Sequence, residues 1–279
     1  MSTQSQFDPN YETTRIADED SFHQKLRWKR TLNRFVGEIY IGKRAKLAHY
    51  RRILGRLTLP KQPSILEVGS GDGLFCFETA TRLPNAKVVG LELNEIEANA
   101  CNQQAINEGI SNLQFVSGLL SARDWRDCFD MVFCLDVLEH VSEDLCFVEE
   151  MTGALKPGGM LLIHVPNRYY RDTDGTIHTV SDEDAWRINP GHVRNGYTAE
   201  ELRDVMVKSG LEVNELIPSQ GNPIARAHAL YRKFEKVMPM RVAILPWIDR
   251  LIRMDLKSTP EHGNTLWAIS MKPQGSEKK

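Results

Sequence analysis

Apolar residues along this chain recur in two rhythms, and their alternation predicts the fold before any motif is read. Apolar runs at 64–68, 87–92, 113–117, 129–135 and 160–165 have the length of buried strands. Between them, residues 74–82, 95–108 and 144–155 carry helical patterns. Asn94 stands at a helix N-cap, Gly109 closes that helix, and Pro157-Gly158-Gly159 is expected to stop the third one. Strand alternating with helix predicts an α/β fold with a doubly wound, mostly parallel sheet. Further on, Thr198-Ala-Glu-Glu201 is a capping box opening a helix to residue 209, ended by Gly210. Residues 211–216 and 265–271 supply the last strands of a seven-stranded sheet.

Two helical stretches lie outside this alternation. Residues 21–57 set Phe22, Leu26, Leu32, Phe35, Ile39 and Ile41 among many bases, from Lys25 and Arg27 to Arg52 and Arg56. That segment reads either as solvated helices covering a sheet edge or as a basic face for a phosphate-bearing substrate or a membrane surface. Residues 218–263 form an insertion with helices expected at 224–237 and 242–256. Its second helix groups Ile244, Ile248, Leu251 and Ile252 on one side, with Arg241, Arg250 and Arg253 among the rest. A substrate cap or dimer surface fits it, with interfacial membrane contact as the alternative. Residues 1–20 are polar and without period, a loosely held tail. The organisation is therefore a tail and basic extension over 1–60, then one α/β domain over 61–279.

Composition narrows the partners. A chain of 279 residues with a net charge of −2 has no global reason to seek nucleic acid or an acidic membrane, which favours a small-molecule partner. Its five cysteines form no Cys-x-x-Cys pair and sit mostly in apolar runs, as reduced thiols in a cytoplasmic protein do. No stretch has the length and apolarity of a signal peptide or a membrane span. Oligomeric state is not legible.

The candidate chemistry gathers around Glu67-Val-Gly-Ser-Gly-Asp-Gly73. A strand running into a turn of alternating glycines, Gly69, Gly71 and Gly73, lets backbone approach a nucleotide-like ligand. Glu67 is a carboxylate in an apolar strand and needs a partner such as a ligand ammonium. Glu92 ends the second strand, where an acid can take both hydroxyls of a ribose. A dinucleotide fingerprint would place its third glycine at position 74, which is Leu74.

Glu-x-Gly-x-Gly-x-Gly resembles motif I of class I S-adenosylmethionine-dependent methyltransferases. Phe129-Asp130, the Leu138-Glu-His140 triplet, Lys156-Pro-Gly-Gly159 and Val165-Pro-Asn167 resemble, in the same order, the ubiquinone-pathway-like group of that family. The resemblance covers about residues 64–216 and bears on fold and cofactor, not on the acceptor. It implies a Rossmann-like sheet with its last strand antiparallel, and S-adenosylmethionine as cofactor. Glu67 would hold the ammonium, Gly69, Gly71 and Gly73 would pass beneath the ligand, Glu92 would bind the ribose, and Leu93, Leu119 and Leu135 would line the site. An acid commonly follows the third strand in this family; here Gly118 is followed by Leu119, which leaves adenine to backbone groups or to Ser117.

Methyl transfer to a hydroxyl or amine needs a positioned acceptor and a proton acceptor. His140 at the tip of the fourth strand and His192 in a polar lid over 168–197 are the candidates, with Asp136 at the boundary of cofactor and acceptor. The lid also carries Tyr169, Tyr170, His178, Trp186, Arg194 and Tyr197. Asp136, Glu139 and His140 have the spacing of one helical turn and could hold Mg²⁺ or Mn²⁺. Some ubiquinone-pathway and small-RNA methyltransferases look similar there, His192 matching a later histidine ligand. The reading adopted has no metal, and transfer to a small-molecule oxygen. Its rivals are RNA 2′-O-methylation and a cofactor-binding protein without catalysis.

Overall fold

The computed structural model describes residues 19–171, 176–179, 182, 191–234, 236–258, 260 and 262–274. Nearly all of the expected tail, and Trp186 of the lid, lie outside them. The expected strands form one seven-stranded sheet: β1 (Ser64–Val68), β2 (Lys87–Glu92), β3 (Leu113–Ser117), β4 (Phe129–Leu135), β5 (Leu155–Pro166), β8 (Glu212–Ser219) and β9 (Thr265–Met271). Their order is β3-β2-β1-β4-β5-β9-β8, with β9 antiparallel to both neighbours and the first five strands parallel. Strand order reverses between β1 and β4, so a crevice opens beyond their carboxyl ends.

Helices cover both faces. On one side α1 (Glu19–Val36), α2 (Ile41–Leu54), α3 (Leu74–Arg82) and α4 (Glu95–Asn107) share a single core. On the other, α5 (Asp144–Ala154) packs on β4 and β5, and α6 (Ala199–Lys208) packs on α5 and the last two strands in the order, β9 and β8. The capping box at Thr198 and Glu201 is formed, and Asn94 accepts from Ile96 and Glu97 as an N-cap. The extension is not an appendage to this core. Tyr50 of α2 is fully buried, its ring 5.2 Å from Phe75 and 5.3 Å from Phe133.

Three expectations need correction. Pro157-Gly158-Gly159 does not separate helix from strand, because β5 already begins at Leu155, which pairs with Phe129. Gly158 at φ 78° and Gly159 keep the chain bonded to Lys272 while the register against β4 shifts. The lid contains a short hairpin, β6 (Tyr169–Arg171) with β7 (Ile177–Thr179), too brief for period-two alternation to show. The insertion carries three helices rather than two, α7 (Asn222–Lys233), α8 (Met238–Ala243) and α9 (Leu245–Lys257), with Pro246 near the α9 start.

These last helices and the turn between α1 and α2 form one cap. Ile39, Ile41 and Ala45 pack with Ile224, Ala227, Ile244, Leu245, Ile248 and Ile252. Arg44 grips Asp249 at 2.6 Å, and buried His49 meets buried Asp255 at 2.8 Å. Asp255 also accepts the backbone N–H groups of Gln220 and Gly221, which fixes where the insertion leaves β8.

Candidate active site

A cavity of about 700 Å³ lies at the carboxyl ends of β1, β2, β4 and β5, large enough for a small-molecule ligand of nucleoside size. One wall is the glycine turn. Gly71, at φ 49°, has nothing nearer than Glu97, 3.9 Å from where a Cβ would stand, and its N–H donates to Glu92 at 2.6 Å. Gly73 has a different reason to be glycine: a Cβ there would press on Phe115 and Phe77 at 2.8–3.0 Å. Gly69, Gly71, Glu92, Leu93 and Leu119 line the cavity as expected. Gly73 and Leu135 do not; Leu135 is packed in the core.

Glu67 is placed under the turn and is only 2% exposed, so it does not line the cavity. Burial pushes its carboxyl well up, against hydrogen bonding from Cys76. Its Oε2, with Ser70 Oγ nearby in the chain, is buried without a hydrogen-bond partner. Asp72, in the same turn, is gripped by Lys29 of α1 at 2.5 Å and Lys43 of α2 at 3.0 Å. Burial raises the Asp72 pKa, but the two lysines outweigh it and hold it at about 2.

The opposite wall carries the reacting groups. Asp136 follows β4 at φ 57°, a conformation a non-glycine residue keeps only when its surroundings impose it. Here they do. Its N–H donates to the His164 carbonyl at 3.0 Å, its Oδ1 meets His164 Nδ1 at 2.5 Å, and its Oδ2 pairs with Lys46. Burial lowers the Lys46 pKa to about 8, opposed by neighbouring Glu139. Burial likewise drives His164 well below the usual histidine range, so it is neutral and donates from Nδ1.

Past Asp136 the turn Leu138–His140 meets the lid. His140 Nδ1 donates to the Gly191 carbonyl at 2.7 Å, the Val193 N–H donates to the Glu139 carbonyl at 3.0 Å, and the His140 and His192 rings lie 4.6 Å apart, edge to face. Arg194 bonds Asp144, Val141 and Ser142, and Tyr197 bonds Asp144 at 2.9 Å, so both side chains anchor the segment and leave His192 at the cavity wall. Burial, then the adjacent His140, lower the His192 pKa to about 4.

The structure thus brings His192, His140 and Asp136 to one cavity with the glycine turn. The trio weighed as an alternative cation site does not form as read: Glu139, His140 and His192 place a donor atom each within 4.8 Å of one another, while the Asp136 carboxylate is taken by Lys46 and His164. Lys46 and His164 are residues sequence reasoning missed. Lys46 was one base among many, and His164 sits inside an apolar strand, where a histidine is itself a signal.

A doubly wound sheet with β9 antiparallel, a glycine turn and a carboxylate at the tip of β2 define a class I methyltransferase architecture. The chain belongs to the methyltransferase-domain family, whose profile it matches over residues 60–213. It is 32% identical over 152 residues to a ubiquinone biosynthesis O-methyltransferase of Bradyrhizobium sp. (strain ORS 278), 54% of this chain and 59% of that protein. It is 23% identical over 199 residues to a trans-aconitate 2-methyltransferase of Variovorax paradoxus (strain S110), 71% of each chain. Its fold matches phosphoethanolamine N-methyltransferase 2 of Haemonchus contortus, solved with S-adenosyl-L-methionine, with a TM-score of 0.62 at 14% identity, over 93% of this chain and 61% of that one. The match to the first of these relatives thus spans less than two thirds of its length.

S-adenosylmethionine is the cofactor of this class, and the residues fit it. The open side of Gly71 allows close approach. Glu67 Oε2 and Ser70 Oγ are buried outside the cavity lining without a hydrogen-bond partner, and Glu92 lines the cavity at the tip of β2, where ribose hydroxyls would be taken. No helix among the described residues is long and apolar enough to cross a membrane.

Proposed function

We propose that this chain transfers the methyl group of S-adenosylmethionine to an oxygen of a small-molecule acceptor. The observation that carries the reading is one cavity walled on one side by the glycine turn and Glu92, and on the other by Asp136, His140 and His192. Displacement at a sulfonium needs the acceptor in line and its proton removed. His192 and His140 are the groups assigned to the acceptor, and Asp136, steadied by Lys46 and His164, marks the boundary with the cofactor. Glu67, Gly69, Gly71, Gly73, Glu92, Leu93, Leu119 and Leu135 are assigned to the cofactor, with Gly73, Glu67 and Leu135 acting from beneath the wall. The relatives named as O-methyltransferases support oxygen as the acceptor atom. Against RNA stands the pairing of the basic extension: Lys29, Arg30, Lys43, Arg44, Lys46, Arg51 and Arg56 each meet a carboxylate of the chain. Buried, unpaired Cys76, Cys101 and Cys134 suit the cytoplasm. Incubation with methyl-labelled cofactor and fractionated lysate tests the reading; label entering small polar or phenolic metabolites supports it, and label confined to RNA overturns it.

A second reading rests on the donor set. Glu139, His140 and His192 could hold a divalent cation that would bind and orient acceptor oxygens. Buried Glu139 Oε2 has no hydrogen-bond partner, and the His140 bond to Gly191 fixes its ring as ligand histidines are fixed. Activity that survives exhaustive chelation supports the metal-free reading. Loss restored by Mg²⁺ or Mn²⁺ supports the cation.

A further inference from the structure

The outer face of the cap carries exposed apolar and basic side chains that the catalytic reading leaves unused. On α9, Ile248, Ile252 and Asp255 face inward, while Trp247, Arg250, Met254 and Lys257 follow at intervals of three and four along the exposed side. Trp247 is 63% exposed and Met254 48% exposed; beside them at the start of α8 stand Val237 at 47% and Met240 at 39%. Large apolar groups this open along one face ask for a partner.

Charge decides its kind. Among the described residues of 236–257, every exposed charged side chain is a base: Lys236, Arg250, Arg253 and Lys257. Both acids of that stretch are withdrawn, Asp249 against Arg44 and Asp255 buried against His49. The concentration is local, since the whole chain carries a net charge of −2. Tryptophan and methionine interleaved with arginine and lysine on a surface helix is the pattern of a helix lying in a lipid headgroup layer. Nucleic acid would use the bases but gains nothing from the exposed Trp247 and Met254 that alternate with them along α9.

We propose that the exposed side of α8 and α9 is an interfacial docking surface for an anionic lipid bilayer. Trp247, Met254, Met240 and Val237 enter the headgroup layer, and Arg250, Arg253, Lys236 and Lys257 meet its negative charge. Nothing in this depends on the methyl acceptor.

Co-sedimentation of the full chain with phosphatidylcholine vesicles, with and without phosphatidylglycerol, tests it. The expected result is binding only when phosphatidylglycerol is present, weakened at high salt. Arg250→Glu/Arg253→Glu and Trp247→Ala/Met254→Ala should each lower the bound fraction by about tenfold or more, with melting temperature unchanged and Lys87→Glu without effect. Equal binding to neutral vesicles, no binding to either, or variants that bind as wild type does would overturn the proposal. So would size-exclusion evidence that the same variants break a dimer, or RNA binding that they abolish in place of vesicle binding.

Discussion

At His192, burial and the neighbouring His140 hold the imidazole at about 4, so it is neutral at physiological pH and able to accept a proton. His192→Ala should lower kcat by about 10²–10⁴-fold with cofactor affinity nearly intact, read by single-turnover kinetics beside calorimetry. A loss of melting temperature with turnover per folded molecule within a few-fold of wild type would make the residue structural. Lys46 titrates higher. It is an ammonium below about 8 and an amine above it, so if the amine takes the acceptor's proton, kcat/KM rises with pH and levels off above about 8. Lys46→Met should remove that rise; a profile of unchanged shape would leave Lys46 only the task of holding Asp136. Asp136 and His140 could be found in the sequence because polar residues at a strand end stand out, and His192 because it lies in a long polar loop. Lys46 and His164 reach Asp136 from elsewhere in the chain, through the packing of α2 and the β4–β5 pairing, and no local pattern records that.

Among the elements, β1, β4 and β9 are buried on both faces and left apolar runs that made them legible, while the edge strand β8, largely open to solvent, was read only as 211–216 against its Glu212–Ser219 span. The start of β5 was not legible, because Lys-Pro-Gly-Gly has turn composition and bulges out of the β4 register, while Gly158 and Gly159 still bond Lys272. The glycine turn and the tip of β2 act together: Glu92 accepts from Gly71 at 2.6 Å and from Asn94 at 3.1 Å. Glu92→Ala therefore removes a ribose partner and frees the turn at once. Calorimetry should show S-adenosylmethionine binding weakened by about tenfold or more while the melting curve stays cooperative. Binding as tight as wild type would take Glu92 out of the cofactor site.

For the molecule as a whole, the family match begins at residue 60, yet the core does not. Leu26, Leu47, Tyr50, Ile53 and Leu54 belong to the same cluster as Ile65, Phe75 and Phe133. The basic composition of 21–57 left open helices covering a sheet edge or a face for an outside partner, and most of those bases answer acids on the chain itself. Deleting residues 1–57 would uncover a large apolar surface and leave Asp72 and Asp136 without their lysines. The shortened chain should be poorly soluble, or melt without a cooperative transition, and fail to bind the cofactor. A fragment that melts cooperatively and binds as the whole chain does would show the extension to be dispensable.

The grip of Lys29 and Lys43 on Asp72 has a kinetic side. The acid belongs to the glycine turn and the two lysines to α1 and α2, of which α2 lines the cavity through Gly42, Lys43 and Lys46, so these helices cannot part from the turn without separating those charges. If exchange of spent cofactor for fresh requires that separation, the two ion pairs act as an electrostatic latch on it. Raising ionic strength should speed the release of bound S-adenosylhomocysteine in stopped flow, and Lys43→Met should speed it at low salt and make it insensitive to further salt. Where release limits turnover, the wild type would work faster at moderate salt than in its absence.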